Sequence, residues 1–372
     1  MDKNIPHRNG ILKLLLKGVL NFSTVLAAGL LVLPFFITKG VDLLMFSGII
    51  FPWVWIINAI FFLFWAFCRK KMAFIPLSTI LATIGITAGY FQLNPEKEPT
   101  TAPNLKVLTY NVKYLGRSSR HQAANKESGI TNFIAEQDAD IICLQEFDSP
   151  PEEFTVMIEK IMHRTGTSHY VFTRYYPGQQ NSERILLLTR QDVVNKGSLT
   201  DPDNRRYAVY ADIVWQSDTL RIINCHLQSN YLREEDDLGL DDFKRANAGR
   251  GIIQEKSRRI YKKLLKAFRQ RARQADRLTA FIQKSPYKTI LCGDFNDTPA
   301  SYTYQKLRHY LTDGFREAGY GTGTTYNGRY PSFRIDYILH HPDLTSIAYQ
   351  IHRKNTDSDH FPVTGILIKK TE

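Results

Sequence analysis

The sequence predicts a sheet-centred α/β domain carried behind three membrane-spanning helices, and two observations predict it. Residues 18–38, 43–68 and 73–93 form three windows without a charged side chain. Each has about 20 residues or more, the length a helix needs to cross roughly 30 Å of hydrocarbon. From Leu105 onward the pattern changes to short runs rich in Val, Ile and Leu, bounded by Asp, Asn, Gly or Pro, with helical patterns between some of them. Such runs read as strands, and the interspersed helices as their covering layers. The expected organisation is a membrane domain over residues 1–93, a Pro-rich linker over 94–104 and the α/β domain over 105–370.

Taken in order, the first window comes after Lys13 and Lys17 as the apolar stretch of a cleaved signal would. Two further apolar windows come after it, and none ends in a small-residue cleavage pattern, so it reads as a span. Lys3, Arg8, Lys13 and Lys17 precede the first window, and Arg69, Lys70 and Lys71 separate the second from the third. Lys and Arg in short loops prefer the cytoplasm. Three crossings then place everything after Leu93 on the non-cytoplasmic side of a cell membrane, periplasmic or extracellular. The linker contains Pro95, Pro99 and Pro103. At about 3.1 Å per residue it reaches some 30 Å and holds the α/β domain near the bilayer.

The strand-like runs are LKVLTYNV, ADIICLQEF, RILLLTR, YAVYADIVW, LRIINCHL, KTILCGDF, RIDYILH and TGILIKK, with helical patterns over 128–137 and 152–164. Leu232 to Gln274 differs: an acidic cluster (Glu234, Glu235, Asp236, Asp237, Asp241, Asp242) gives way to a basic stretch from Lys256 to Arg273. Ile260, Leu264, Phe268, Ala272 and Ala275 recur at helical spacing there, so this second part is an amphipathic helix. Its basic face reads as an ordinary solvated face, with anionic lipid or nucleic acid as the alternative partner. The chain carries 48 Lys and Arg against 36 Asp and Glu, a net charge of +12. That mild excess is compatible with an anionic substrate or a lipid surface. Cys143, Cys225 and Cys292 lie inside apolar runs and read as small buried hydrophobes rather than a disulfide framework.

Several strand-like runs end in residues that a strand core would not choose. Asn111 follows LKVLT, Glu146 follows IICLQ, His226 follows IINC, Asp294 and Asn296 follow TILCG, and Asp336 follows RI; Asp359 and His360 stand near the C-terminus. Singly, Asp and Asn at strand ends are common turn formers. Together, carboxylates and amides suit a hard divalent ion such as Mg²⁺, held by a few oxygens with water and substrate phosphate. The close His/Cys spacing of a zinc site is missing, and so are the G-x-S-x-G and P-loop patterns. Two imidazoles beside carboxylates supply a general base and a group that stabilises charge on phosphorus.

TYNV, LQE, HL, GDFN, RIDYI and SDHFP, in this order, resemble the endonuclease/exonuclease/phosphatase superfamily over Leu105 to Lys369. The resemblance implies a DNase I-like four-layer sandwich, two packed mixed sheets flanked by helices, with a phosphoesterase site at one end of the sheets. It implies Glu146 as the principal metal ligand, with Asn111 and Asp359 beside the metal, Mg²⁺ or alternatively Mn²⁺. His360 would be the general base or orient the attacking water, held by Asp336. Asp294 and Asn296 would position the nucleophile and a phosphate oxygen, and His226 would hydrogen-bond the phosphate. Arg205 and Arg206 are candidate phosphate contacts, or two solvated arginines at a strand entry. Tyr302 and Tyr304 could stack on a base or sugar, or pack beneath the GDFN loop.

The function expected from these residues is a membrane-tethered, Mg²⁺-dependent phosphodiesterase or nuclease-type hydrolase acting on a phosphate ester. A lipid or inositol phosphate hydrolase of the same fold is the alternative, and a short tether to the bilayer suits it. A non-catalytic membrane scaffold is a third reading, disfavoured because every catalytic residue type is in place. Nothing in the sequence points to a protein partner.

Overall fold

The structure is a computed structural model that describes residues 5–37, 41–95, 97, 101–116, 123–148, 151–175, 184–230, 250–328 and 332–370. The acidic cluster at 234–242 lies outside the described residues. The chain divides into two compact units, Met1–Ala88 with Ala300–Tyr302, and Gly89–Pro299 with Thr303–Glu372.

The first unit contains α1 (Ile5–Val32), α2 (Asp42–Met45), α3 (Ser47–Phe67), α4 (Phe74–Ala82) and α5 (Ile84–Thr87). Buried polar contacts join α1 to α3: Asn58 Nδ2 donates to Ala27 O at 2.9 Å, and Trp65 Nε1 to Thr24 Oγ1 at 2.9 Å. Facing outward are Leu14, Val19, Phe22, Ile60 and Leu63, all exposed.

Two helical segments, not three, are long and apolar enough to cross a bilayer among the described residues: Lys13–Phe36 and Ser47–Phe67. The third charge-free window does not form one continuous helix. Its apolar helix covers only Lys71–Ala82, about 18 Å at the helical rise. Thr83 leaves helical geometry at φ −92°, ψ 7°, and its hydroxyl bonds back to Thr79 O at 2.8 Å, a contact that competes with a regular helix. The end of the window then becomes a strand, β1 (Phe91–Leu93), paired antiparallel with Tyr320–Thr322 inside the second unit.

In the second unit, chain order continues with β2 (Asn104–Asn111), α6 (Ala123–Glu136), β3 (Ile141–Phe147), α7 (Pro151–Thr165), β4 (His169–Arg174), β5 (Arg184–Thr189), β6 (Val193–Thr200), β7 (Arg206–Trp215) and β8 (Asp218–His226). It goes on with α8 (Arg250–Gln283), β9 (Lys288–Asp294), α9 (Tyr302–Arg308), β10 (Thr312–Asp313), α10 (Gly314–Ala318), β11 (Tyr320–Thr322), β12 (Asp336–His340), β13 (Leu344–Ile351) and β14 (Val363–Lys369). Two six-stranded sheets result, ordered β13-β14-β2-β3-β5-β4 and β10-β12-β9-β8-β7-β6. Each is mixed: β2 runs parallel to β3, and β8 parallel to β9, while their other neighbours are antiparallel.

Alternation along each strand sorts the side chains into layers. Leu105, Val107, Ile141, Cys143, Ile185 and Leu187 of the first sheet pack with residues of the second, such as Ile222, Ile290 and Cys292, in one buried cluster. On the other face, Leu108, Tyr110, Ile142, Leu144, Leu186 and Leu188 pack under Ile130 and Ile134 of α6 and Phe154, Ile158 and Ile161 of α7. Helix α8 adds Leu278 and Ile282 to the core, and its Phe281 ring lies 5.0 Å from that of Tyr210 on β7. The sandwich of two packed mixed sheets flanked by helices is thus present. All four cysteines are free, and the three within strands are buried.

Candidate active site

Strand register brings the polar strand ends together. His226 of β8 sits opposite Asp294 of β9, and Asp294 opposite Asp336 of β12. In the other sheet Asn111 of β2 sits opposite Gln145 of β3, one residue before Glu146. Glu146 has φ +51° and falls where the β3–β5 register shifts between Leu144 and Phe147, a bulge that re-aims its side chain. Beneath it, buried amides bridge the sheets: Gln145 Nε2 donates to Asn224 Oδ1 at 2.7 Å, and Asn224 Nδ2 to Leu186 O at 2.8 Å. Gly293 has φ +132°, and a Cβ there would lie 1.9 Å from Cys225 O. Only glycine lets β9 approach β8 so closely.

Asp294 is the hub. Its Oδ2 accepts from Asn111 Nδ2 at 3.0 Å and Asn296 Nδ2 at 3.2 Å, and its Oδ1 from Asn296 N at 2.7 Å. Asn111 Nδ2 also donates to Glu146 Oε1 at 3.0 Å. His226 Nε2 lies 3.6 Å from Glu146 Oε1 and 3.7 Å from Asp294 Oδ2. His360 Nε2 is 3.8 Å from Asp294 Oδ2, while its Nδ1 is 2.9 Å from Asp336 Oδ2. The partner at Nδ1 orients the ring and leaves Nε2 towards the hub.

Electrostatics divides the groups. Burial pushes the Asp294 carboxyl up, Asp336 adds to the rise, and His360 and His226 pull it back, to about 6. Burial disfavours the His360 imidazolium, but Asp336 and Asp294 outweigh it and push the ring up to about 10. Glu146, His226 and Asp294 offer ligand atoms within 4.8 Å of one another, and so do Asp294, Asp336 and His360. Among the described residues nothing donates to the buried Asp336 Oδ1. Crowded carboxylates with an orphaned buried oxygen fit a divalent cation, which would offset their mutual repulsion.

Of the sequence-derived residues, Asn111, Glu146, His226, Asp294, Asn296, Asp336 and His360 meet at this one place. Asp359 is adjacent to His360, but its Oδ2 is 2.5 Å from Lys113 Nζ, and it belongs to neither group of close ligand atoms. Arg205 is buried and held by Asp201, Asp203 and Gln228. Arg206 is exposed, with Nη1 3.5 Å from Thr173 Oγ1 on the β4 edge. Tyr304 packs in the core and donates to Asp313 Oδ2 at 2.6 Å, so it does not offer a stacking face.

The structure adds residues that the motifs do not single out. Ser358 Oγ donates to Asn111 O at 2.8 Å and accepts from His360 N at 3.2 Å, tying the C-terminal turn to β2. Thr325 Oγ1 accepts from Asp336 N at 3.1 Å, and its carbonyl from Phe361 N at 2.7 Å. The Tyr326 ring stands edge-on to His360 at 5.2 Å. Ser358 is visible in sequence as the first residue of SDH. Lys113 has no comparable signal, because it comes back to Asp359 through a left-handed run, Lys113, Tyr114 and Leu115, all at positive φ.

Residues 108–360 match the family model described as Endonuclease/Exonuclease/phosphatase family, and residues 13–90 match a domain of unknown function (DUF8431). No curated protein matches the chain. Among solved structures, an endonuclease/exonuclease/phosphatase family protein from Bacteroides thetaiotaomicron is 18% identical, with TM-score 0.52 over 74% of this chain and 97% of that one. A family protein from Bacteroides vulgatus is 16% identical, with TM-score 0.51 over 72% of this chain and 100% of that one. A mannosyl-6-phosphatase from B. thetaiotaomicron is 17% identical, with TM-score 0.50 over 71% of this chain and 99% of that one. At these identities the likeness concerns the fold.

Proposed function

Because this chain belongs to the endonuclease/exonuclease/phosphatase family, we propose that it is a membrane-tethered hydrolase of phosphoric esters, phosphodiesters in particular, that works with a divalent cation, Mg²⁺ or Mn²⁺. The observation that carries the proposal is the meeting of two carboxylate–imidazole groups at Asp294. Glu146, with Asn111 beside it, would hold the cation, and Asp359 would join from the neighbouring turn. When bound, such an ion neutralises charge developing on the phosphoryl oxygens.

The electrostatics supports a division of labour different from the one the resemblance implies. A carboxylate raised to about 6 is ionised at neutral pH and basic enough to take a proton from water, which suits Asp294 as general base. An imidazole raised to about 10 is charged there, which suits His360 as a donor from Nε2 to the oxygens around phosphorus. As the water oxygen bonds to phosphorus and the ester P–O bond breaks, the water proton passes to Asp294 and the departing alcohol oxygen takes up a proton from solvent. Asp336 orients His360, and Asn296 and His226 position the water and the phosphate.

Asp294→Asn and His360→Ala should each lower hydrolysis of a chromogenic phosphodiester with Mg²⁺ by about 10²–10⁴-fold, the usual share of a proton-transfer group. Wild-type turnover in either variant would sink the assignment. A lipid or inositol phosphate substrate is the second reading, favoured by the two apolar helices. Plasmid DNA, RNA, sphingomyelin and phosphoinositides assayed side by side separate the two, and a chain that binds the ion but hydrolyses none of them would return the scaffold reading.

The side of the membrane is a matter of parity. Two crossings return the chain to the side of its N-terminus, and Lys13, Lys17, Arg69, Lys70 and Lys71 all prefer the cytoplasm. The non-cytoplasmic placement depends on a third crossing, so the proposal puts the hydrolase on the cytoplasmic face.

A further inference from the structure

Helix α8 reads in sequence as a solvated basic helix, yet one of its cations turns inward. The Arg271 side chain is fully buried, at 0% exposure, and a buried guanidinium must be both charge-paired and hydrogen-bonded. The partners lie on the two loops that leave the site strands. Nη1 donates to Gln228 O at 2.7 Å and to Asn230 Oδ1 at 2.9 Å, and Nε donates to Asp297 Oδ2 at 3.2 Å. Gln228 is two residues beyond His226, and Asp297 directly follows Asn296. The same loops are joined to each other, since Asn296 Nδ2 donates to Leu227 O at 3.1 Å and Leu227 N to Asp294 O at 2.9 Å. Asn296 itself has φ +53°, a conformation that persists only where the surroundings over-determine it.

We propose that Arg271 is a positioning residue for phosphoester hydrolysis: its guanidinium, wedged between the two loops, fixes the spacing of His226 from the Asp294–Asn296 pair. This rests on the hydrolase reading above. The planar fork suits the task, because it donates in several fixed directions at once, whereas a lysine ammonium is a point charge on a flexible stem. A misplacement of about 1 Å at reacting groups costs on the order of 10²-fold in rate, so a residue that touches no substrate can still govern turnover.

The test uses the full chain, a chromogenic phosphodiester and Mg²⁺, with thermal unfolding followed in parallel. Arg271→Gln should lower kcat by about 10–100-fold while KM stays within about twofold, and Arg271→Lys should fall between it and wild type. Arg271→Gln combined with His226→Ala should be no slower than His226→Ala alone, because a spacing that has lost His226 at one end cannot be lost a second time. Losses that multiply in the double variant, or a folded Arg271→Gln protein with wild-type kcat, would overturn the proposal. If both Arg271 variants unfold, Asn230→Ala decides, since it removes one loop contact from a half-buried site. A loss of kcat that disappears in the His226→Ala background supports the role, and wild-type kcat rejects it. A wild-type chain that hydrolyses no phosphodiester with any divalent ion is a separate outcome, which overturns the hydrolase reading and this inference with it.

Discussion

Burial would strip His360 of its charge, and the carboxylates around it oppose that. The residue is 5% exposed, yet the Asp336 carboxylate 2.9 Å from Nδ1 and the nearby Asp294 push its imidazole up to about 10. The two groups therefore titrate on opposite sides of neutrality. In the proposed mechanism kcat/KM rises as Asp294 ionises near pH 6 and falls as His360 loses its proton near pH 10, a bell whose limbs a bound cation shifts downward. Asp336→Asn removes the largest influence raising the imidazole and leaves Asp294 and Asp359 alone to oppose burial. The alkaline limb should accordingly move to lower pH in that variant, measured as a kcat/KM–pH profile. An unmoved limb would show that His360 is not the group titrating there.

At the scale of elements, parallel pairing of β8 with β9 and antiparallel pairing of β9 with β12 put three polar strand ends side by side. The start of β12 is anchored by an ion pair that packing makes costly to break. Arg334 donates from Nη2 to Asp313 Oδ1 at 2.6 Å and from Nη1 to Oδ2 at 2.7 Å, with both side chains at most 1% exposed. The guanidinium also lies 4.5 Å from the centroids of the Phe315 and Tyr337 rings. Arg334→Ala leaves Asp313 as an uncompensated buried charge and should cost about 3–5 kcal/mol by denaturant unfolding. It should impair activity as well, because Asp336 is two residues away. The eight strands read from apolar runs are all strands in the structure. Those the runs do not reveal include β4, β6 and β13, which are sheet edges. β6 has no fully buried position, so no continuous apolar run marks it.

For the whole molecule, the two apolar helices and the site strands set separate expectations. The full chain should stay with membranes through alkaline carbonate extraction, and a reporter active only in the cytoplasm should be active when fused after Leu93. An active export-dependent reporter at that position would restore the third crossing and reverse the placement. The α/β class, the family and most of the polar residues at the site are legible in the amino-acid order alone, because buried strands need apolar runs and several of those runs adjoin a polar residue that a strand core would not choose. How those ends meet is a property of the folded chain. Register chose Asp294 as the hub, the bulge turned Glu146 towards it, Lys113 reached Asp359 through a left-handed run, and Arg271 left the basic face of α8 for the core. Folding also ended the third apolar window as a strand. Each of these depends on contacts between residues far apart in the chain, and local pattern carries no information about them.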